Sequence, residues 1–418
     1  MVKKLVFVIL DGIGDRLVKE LQNRTPLEAA HTPTLDKLAA EGVTGHVQVL
    51  PFAPESDEAV FTLLGYDLKD YRGRGPLEAL GSGVVFKKGM VALRCNFATA
   101  EGHKLIDRRA GRNLASNEAR LLADSVNKNV KLRKGSFSLK ATVGHRAVLV
   151  LKYPKRLSAK ITNTDPAYTI DKDGLPEALA EYKMEVLKSR PYAKGSGGKE
   201  AAELLNEFTE KSAKMLNNNP VNLSRLHRGM LKANTILCRD AGIELPKVQP
   251  INKLTKRKWA IAADMPLEVG IGKVLGMELI ALQHEPNLKR HYTHVAEQAA
   301  KALHKSDSVY VHLKAPDVFG HDGDYLGKKQ AIEAIDEHFF RPLLRKIGDA
   351  AIAVTGDHAT PCEVKGHSDD PVPLLVWNAG VTDSVKRFNE VECSEGQLGL
   401  LKGNEVMRKI CSLVKRKT

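Results

Sequence analysis

The sequence predicts an α/β protein: a mostly parallel buried sheet sandwiched by helices, interrupted by a smaller inserted domain of α/β (α+β) texture. Three observations carry this. Leu5–Leu10, Ser308–Leu313 and residues 350–354 are continuous apolar runs of strand length, as central parallel strands covered on both faces require. Stretches with helical spacing, at residues 267–277, 291–303 and 327–347, alternate with them. Beyond Gly83 the texture changes, and it returns at Lys258.

Taken in order, the first strand ends in Asp11-Gly12-Ile13-Gly14-Asp15, a turn. Thr32-Pro33-Thr34 opens a helix through Leu35, Leu38 and Ala39 that stops near Gly42. Ser56 precedes Asp57 and Glu58 and an apolar run, which predicts Ser56 as the N-cap of a helix. Residues 73–81 read as a turn, a short helix and a stop. Residues 84–256 form the insert, with strand-like pieces at 90–97 and 147–151 and helices at 116–126 and 199–216. Gly195-Ser196-Gly197-Gly198 and Asn217-Asn218-Asn219-Pro220 punctuate it. The main domain is therefore discontinuous, 1–83 and 257–418, and Lys415-Arg416-Lys417 is expected as a solvated helix end.

With 418 residues there is room for two domains and a sizeable core. No apolar run approaches the ~20 residues of a membrane span, and the short run after Lys4 lacks the length and cleavage site of a secretory leader. A cytoplasmic protein is expected. The five cysteines are odd in number and form no CxxC pair, so reduced thiols are expected rather than a disulfide framework; Cys362 is read as a buried thiol. The net charge of +14 is spread along the chain, and aromatic residues are only 5%, without the basic-aromatic interleaving that stacks bases; nucleic acid is disfavoured as a partner. Oligomeric state is not legible.

Strand exits carry the chemistry. Asp11 follows the first apolar run. Lys314, Asp317 and His321 follow the run ending at Leu313; Asp357 and His358 follow the run ending at Val354; His367 lies in the next polar loop. Open α/β sheets bind ligands at the carboxyl ends of their strands. Three carboxylates and three imidazoles suffice to hold two divalent ions, the arrangement used for in-line phosphoryl chemistry. Ser56, entering a helix, suits a phosphate-accepting nucleophile, because backbone N–H groups and the helix dipole favour an anion there. In the insert, residues 94–99, with Arg94, and residues 107–112, with three arginines (Arg108, Arg109 and Arg112) within five positions beside Gly and Asp, suit an anionic ligand, since arginine clamps carboxylate or phosphate through paired hydrogen bonds. Asp165, in a polar turn, is a further candidate acid or base.

The combination resembles the alkaline phosphatase superfamily and, within it, the archaeal-type cofactor-independent phosphoglycerate mutases. The matching pieces are Asp11 to Asp15, Thr32-Pro33, Ser56-Asp57, residues 64–67, 73–81, 94–99, 107–112 and 317–324, Gly356-Asp357-His358 and Gly366-His367-Ser368, in the family's order. The resemblance implies an alkaline-phosphatase-like fold and interconversion of 2- and 3-phosphoglycerate without added bisphosphoglycerate. Asp317, His321 and His367 would hold one metal; Asp11, Asp357 and His358, with Ser56, the other. Ser56 would accept the phosphoryl group. Arg94, Asn96, Asp107, Arg109, Arg112, Asp165 and Lys314 would hold the substrate, and Mn²⁺ is expected, with Zn²⁺, Co²⁺ and Mg²⁺ as alternatives. The sequence departs from the family pattern at Glu55 (usually Gly), Ala167 (His), Asp240 (Gly) and Val269 (Lys). The alternative is a phosphoester hydrolase on the same metal core.

Overall fold

A computed structural model describes residues 3–71, 73–170, 176–179, 181–283, 285 and 287–414. Lys415-Arg416-Lys417 lie outside these residues. The chain divides into two compact units, one of Met1–Tyr71, Lys247–Asp264 and Ile271–Thr418, the other of Arg72–Pro246 and Met265–Gly270.

The first unit is built on an eight-stranded sheet in the order Glu278–Leu279, Trp259–Ala262, Ser308–Leu313, Leu5–Leu10, Ala351–Thr355, Val372–Trp377, Gly42–Gln48 and Leu400–Lys402. Only Val372–Trp377 runs against the others. The three apolar runs singled out in the sequence are adjacent at its centre. Val6, Val8 and Leu10 pack with Val309, Val311, Ile352 and Val354 against Leu35, Tyr292, Val295, Phe339 and Phe340 from helices. Phe7 and Ile9, pointing to the other face, are also fully buried, so both faces are covered. The central register pairs Leu10 with Leu313 and Ile9 with Thr355. The three strands therefore end at one level, and Asp11, Lys314 and Asp357 leave the sheet side by side.

Gly42–Gln48, Val372–Trp377 and Leu400–Lys402 were not expected. Gly42, Thr44, Gly45 and Gln48 give the first a loop-like composition. Gly45 is needed for packing: a Cβ there would lie 2.6 Å from the carbonyl oxygen of Gly399. The long helix expected at 327–347 is Tyr325–Ile335, a π segment at Asp336–Phe340 and Arg341–Leu344.

The second unit holds an antiparallel sheet in which Val91–Glu101 pairs with Lys104–Asp107, Arg146–Lys152 and Thr235–Gly242, and Ser136–Ala141 pairs with Arg146–Lys152. Helices Ser116–Asn129 and Gly198–Asn217 cover one face. The unit begins before residue 84 because helix Arg74–Ser82 packs on this sheet: Ala79 shares a core cluster with Ala92, Val148 and Val150. It ends before 257, and helix Ile251–Thr255 belongs to the first unit.

Gly12 makes the turn after the first strand possible. Its φ is +62°, and a Cβ would lie 2.5 Å from Thr360 Oγ1 and 2.8 Å from Asp317 Cβ. Gly12→Ala should cost about 2–4 kcal/mol from backbone strain and overpacking. A urea unfolding midpoint equal to wild type would contradict this role.

Candidate metal centre and arginine cluster

In the first unit, the strand exits place two groups of ligand atoms. Asp317, His321 and His367 form one and Asp11, Asp357 and His358 the other; the ligand atoms within each lie within 4.8 Å of one another. Asp317 and His321 stand one turn apart on helix Ala315–Asp322, so both face the same side. His367 comes from a loop tied back by backbone bridges: Ala359 bridges both Ser368 and Ile13. The His358 and His367 rings stack at 3.7 Å between centroids, so the two groups adjoin.

The three imidazoles are oriented alike. His321 Nδ1–H donates to the carbonyl of Lys365 (3.1 Å), His367 Nδ1–H to the carbonyl of Pro54 (2.7 Å) and His358 Nδ1–H to Thr360 Oγ1 (3.1 Å). Thr360 in turn donates to Asp317 Oδ1 (2.9 Å), linking the two groups. Each Nε2 is thereby left for the carboxylates, at 3.4 Å and 3.5 Å from Asp317 for His321 and His367, and 3.4 Å from Asp11 for His358. Fixing one ring nitrogen with a protein acceptor and aiming the other at the site is how metal-binding histidines are oriented.

The buried oxygens Asp11 Oδ1 and Asp357 Oδ2 accept no hydrogen bond among the described residues. Leaving such an oxygen unsatisfied is costly unless a cation completes it. Burial opposes ionisation of Asp11, yet Lys314 and His312 outweigh it and hold its carboxyl well below the usual range. Burial and the charge of Asp11 push Asp357 up to about 7. Burial and the neighbouring His367 push His358 down to about 3, leaving it neutral with a lone pair on Nε2. Burial opposes the charge on His367, but its hydrogen bond to Asp317 and the charge of Glu55 bring it to about 9. Mixed carboxylate and imidazole donors with orphaned oxygens fit divalent ions.

Ser56 is not the N-cap. Glu55 holds the N-cap position of helix Ser56–Leu63, and its amide donates to Glu58 Oε2 at 3.3 Å. Ser56 is instead the first helical residue, and its Oγ lies 3.3 Å from His358 Nε2. Lys314 bridges the two ligand groups, pairing with Asp11 and, at 3.1 Å, with Asp317 Oδ2.

Two supports were missed in the sequence. His312 Nε2–H donates to Asp11 Oδ2 (2.8 Å) and Nδ1 accepts from the Tyr310 hydroxyl (2.8 Å); an imidazole inside an apolar strand was the available signal. Lys328, fully buried on helix Tyr325–Ile335, pairs with Asp15 Oδ2 (2.7 Å) and donates to the carbonyls of Gly14 and Thr360 (3.0 Å each). It ties the loop after Asp11 to the loop after His358. A helical lysine reads as solvated, so no pattern marked it.

The second unit assembles arginines. Arg94 and Arg239 face each other in register on paired strands. Arg108, one of the three arginines of the 107–112 segment, forms a two-pronged pair with Asp165, both contacts 2.8 Å. Arg239 lies 3.7 Å from the same carboxylate, with its guanidinium 3.5 Å over the Tyr168 ring. Asp165 is thus engaged in holding arginines. Asp107 Oδ1 accepts from the amides of Arg109 (2.7 Å) and Gly111 (2.9 Å) and shapes the loop; Arg109 is half-buried and Arg112 exposed. Arg74 pairs with Glu78 at 2.8 Å, and Arg94 lies 3.5 Å from it. Burial, then Arg239 and Arg74, lower Arg94 to about 10. Asn96 Oδ1 is buried and accepts no hydrogen bond among the described residues. Concentrated guanidinium charge of this kind favours an anion.

An open, mostly parallel sheet with carboxylates and imidazoles gathered at its strand exits defines a metal-site α/β protein. The family model for 2,3-bisphosphoglycerate-independent phosphoglycerate mutase matches residues 39–222. A protein of that description from Aeropyrum pernix is 41% identical, covering 98% of this chain and 99% of its own. One from Methanopyrus kandleri is 39% identical over 99% and 97%. The solved cofactor-independent phosphoglycerate mutase of Thermoplasma acidophilum is 33% identical, with a TM-score of 0.61 over 99% of this chain and 100% of that one. A solved Pyrococcus horikoshii protein is 31% identical, with a TM-score of 0.78 over 100% and 99%. The chain belongs to the 2,3-bisphosphoglycerate-independent phosphoglycerate mutase family. No described helix is long and apolar enough to cross a membrane.

Asp357 and His367 must each shed a proton before ligating, so the affinity of each ligand group for a divalent ion should tighten about tenfold per pH unit, below about pH 7 for the Asp357 group and below about pH 9 for the His367 group, with protons released. Calorimetry in buffers of different ionisation enthalpy would measure this, and affinity independent of pH from 5 to 7 would contradict it. Lys328→Met strands Asp15 as a buried charge and should cost about 3–5 kcal/mol. Adding Asp15→Asn should recover part of that loss in urea unfolding; strictly additive losses would show that the pair is not coupled.

Proposed function

We propose that the protein is an isomerase of glycolysis and gluconeogenesis that interconverts 2- and 3-phosphoglycerate in the cytoplasm, through a phosphoserine at Ser56. The observation that carries the site assignment is Ser56 Oγ, 3.3 Å from His358 Nε2 and beside two carboxylate-imidazole groups whose histidines are all fixed through Nδ1. Family membership supports the reaction.

Asp317, His321 and His367 would hold one divalent ion and Asp11, Asp357, His358 and Ser56 a second, with Mn²⁺ the leading candidate. When bound, the ions supply charge neutralisation for the phosphoryl oxygens and acidify the Ser56 hydroxyl.

The residues of the chain do the rest. Ser56 Oγ attacks phosphorus in line; the new O–P bond forms as the bond to the glycerate oxygen breaks. The serine proton leaves for solvent or a site base, and the departing glycerate oxygen takes one up. Helix Ser56–Leu63 presents its amino end to the phosphoryl group, where the dipole favours negative charge. The Lys314 ammonium faces the same oxygens. Arg94, Arg109 and Arg112, with Asn96, bind the glycerate carboxylate and hydroxyls, while Asp165 and Asp107 hold the arginines and their loop in place. Glycerate turns while retained, and its other hydroxyl takes the phosphoryl group back from Ser56. Exclusion of water protects the phosphoserine from hydrolysis.

The test is an assay on metal-reconstituted protein, without added bisphosphoglycerate, following 3-phosphoglycerate to 2-phosphoglycerate and to free phosphate together. Isomer without phosphate is expected; phosphate without isomer would favour the hydrolase. Ser56→Ala should lower turnover by about a thousandfold or more while calorimetry still detects metal binding. Turnover near wild type in that variant would remove Ser56 as the nucleophile.

A further inference from the structure

The second unit contains a cysteine pair that the reaction does not use. Cys95 lies on Val91–Glu101 and Cys238 on Thr235–Gly242, directly opposite each other in the antiparallel register. Both are buried, and both belong to the apolar cluster that includes Phe97, Leu149, Leu205 and Phe208. Their sulfurs are 3.2 Å apart. That is inside ordinary sulfur–sulfur contact and about 1 Å longer than a disulfide bond. The other three cysteines, Cys362, Cys393 and Cys411, are also free thiols.

We propose that Cys95 and Cys238 form a redox-active dithiol that closes to a cross-strand disulfide, with a small peroxide as the oxidant. One sulfur attacks a peroxide oxygen and the O–O bond breaks, giving a sulfenic acid and water. The second sulfur then displaces the hydroxyl, forming the S–S bond and a second water. In sum, two thiols lose two electrons and two protons, and hydrogen peroxide is reduced to two waters. Hydrogen peroxide is small and uncharged, which suits an apolar site closed to larger disulfides. Contact between the thiols makes the second step intramolecular and competes with overoxidation.

The cross-link would join residues 143 positions apart and pin the register of the two strands. Those strands carry Arg94 and Arg239, paired with each other in the next position and facing the opposite side of the sheet from the thiols. Oxidation would therefore staple the second unit beneath its arginine cluster without adding anything to the cluster itself.

The experiment treats the full chain with hydrogen peroxide, alkylates remaining thiols under denaturing conditions, and maps unreduced tryptic peptides by mass spectrometry. A peptide pair joined through Cys95 and Cys238 is expected, reversed by dithiothreitol, with Cys362 and Cys393 still alkylated. The oxidised protein should unfold about 5–10 °C higher than the reduced protein, a shift absent in Cys238→Ala. The wild-type peptide map reads the cross-link whether or not that variant folds well. Full alkylation of Cys95 and Cys238 after peroxide would overturn the proposal. So would their recovery as sulfinic acids, or an equal yield of linked peptides among all cysteines.

Discussion

The first unit depends on keeping three carboxylates buried at the ends of three adjacent strands. Asp11, Asp317 and Asp357 are almost wholly out of water. Concentrating such charges in a low-dielectric site is expensive unless cations share them. The protein supplies only part of the compensation. Lys314 reaches one carboxylate from each ligand group, and His312 serves Asp11. Among the described residues Asp357 is paired only with the neutral His358 ring, at 3.5 Å, and it is the one whose carboxyl is pushed up to about 7. The protein's own groups thus offset much of the charge on Asp11 and Asp317, and leave Asp357, with the orphaned Oδ1 of Asp11, as the electrostatic deficit that a divalent ion would fill.

The second unit presents the converse problem. Arg94, Arg108, Arg109 and Arg239 are drawn together with Asp165, Glu78 and Asp240 as the principal buried counter-charges. Asp165 accepts both prongs of Arg108 and attracts Arg239, so a single acid fixes two guanidinium planes. Tyr168 adds a ring face to Arg239 and, at 5.3 Å, to Arg108. Excess positive charge is held in a defined arrangement rather than neutralised. The +14 net charge is too dispersed to reveal this; the local imbalance is what matters.

The candidate ligand groups were legible because each residue but His367, which lies in a polar loop, follows a buried strand or stands at a helical spacing from another. An Asp at the end of Leu5–Leu10, an Asp-His after Ala351–Thr355 and an Asp-x-x-x-His after Ser308–Leu313 depend on local pattern alone. The central sheet was readable for the same reason. Supports that depend on tertiary contact were not. Lys328 and Asp15 are 313 positions apart, and nothing local shows that a lysine's helix face turns inward. Strand Gly42–Gln48 was hidden because its glycines answer to neighbouring backbone rather than to strand propensity. Ser56 read as a cap because Ser before acidic residues is a capping pattern; Glu55 and Glu58 satisfy that requirement one position earlier.

That displaced cap bears on the departures from the family pattern. Glu55 takes the N-cap position, so the Ser56 hydroxyl is not spent on the helix end, and the charge of Glu55 also favours protonated His367. Asp240 has φ +56°, a conformation glycine adopts freely and aspartate tolerates better than most residues, and its carboxylate lies 3.3 Å from Arg239 Nε. Ala167 is buried and donates its amide to Asp165 Oδ1 at 3.2 Å, a bond that needs no side chain. Val269 precedes Gly270, whose missing Cβ would stand 2.0 Å from the carbonyl oxygen of Leu77, so the close approach that requires glycine is retained while the neighbouring lysine is not. Three of the four substitutions thus have a local structural part in their own unit. At Val269 the resemblance implies a lysine, and the apolar side chain there supplies no charge of its own.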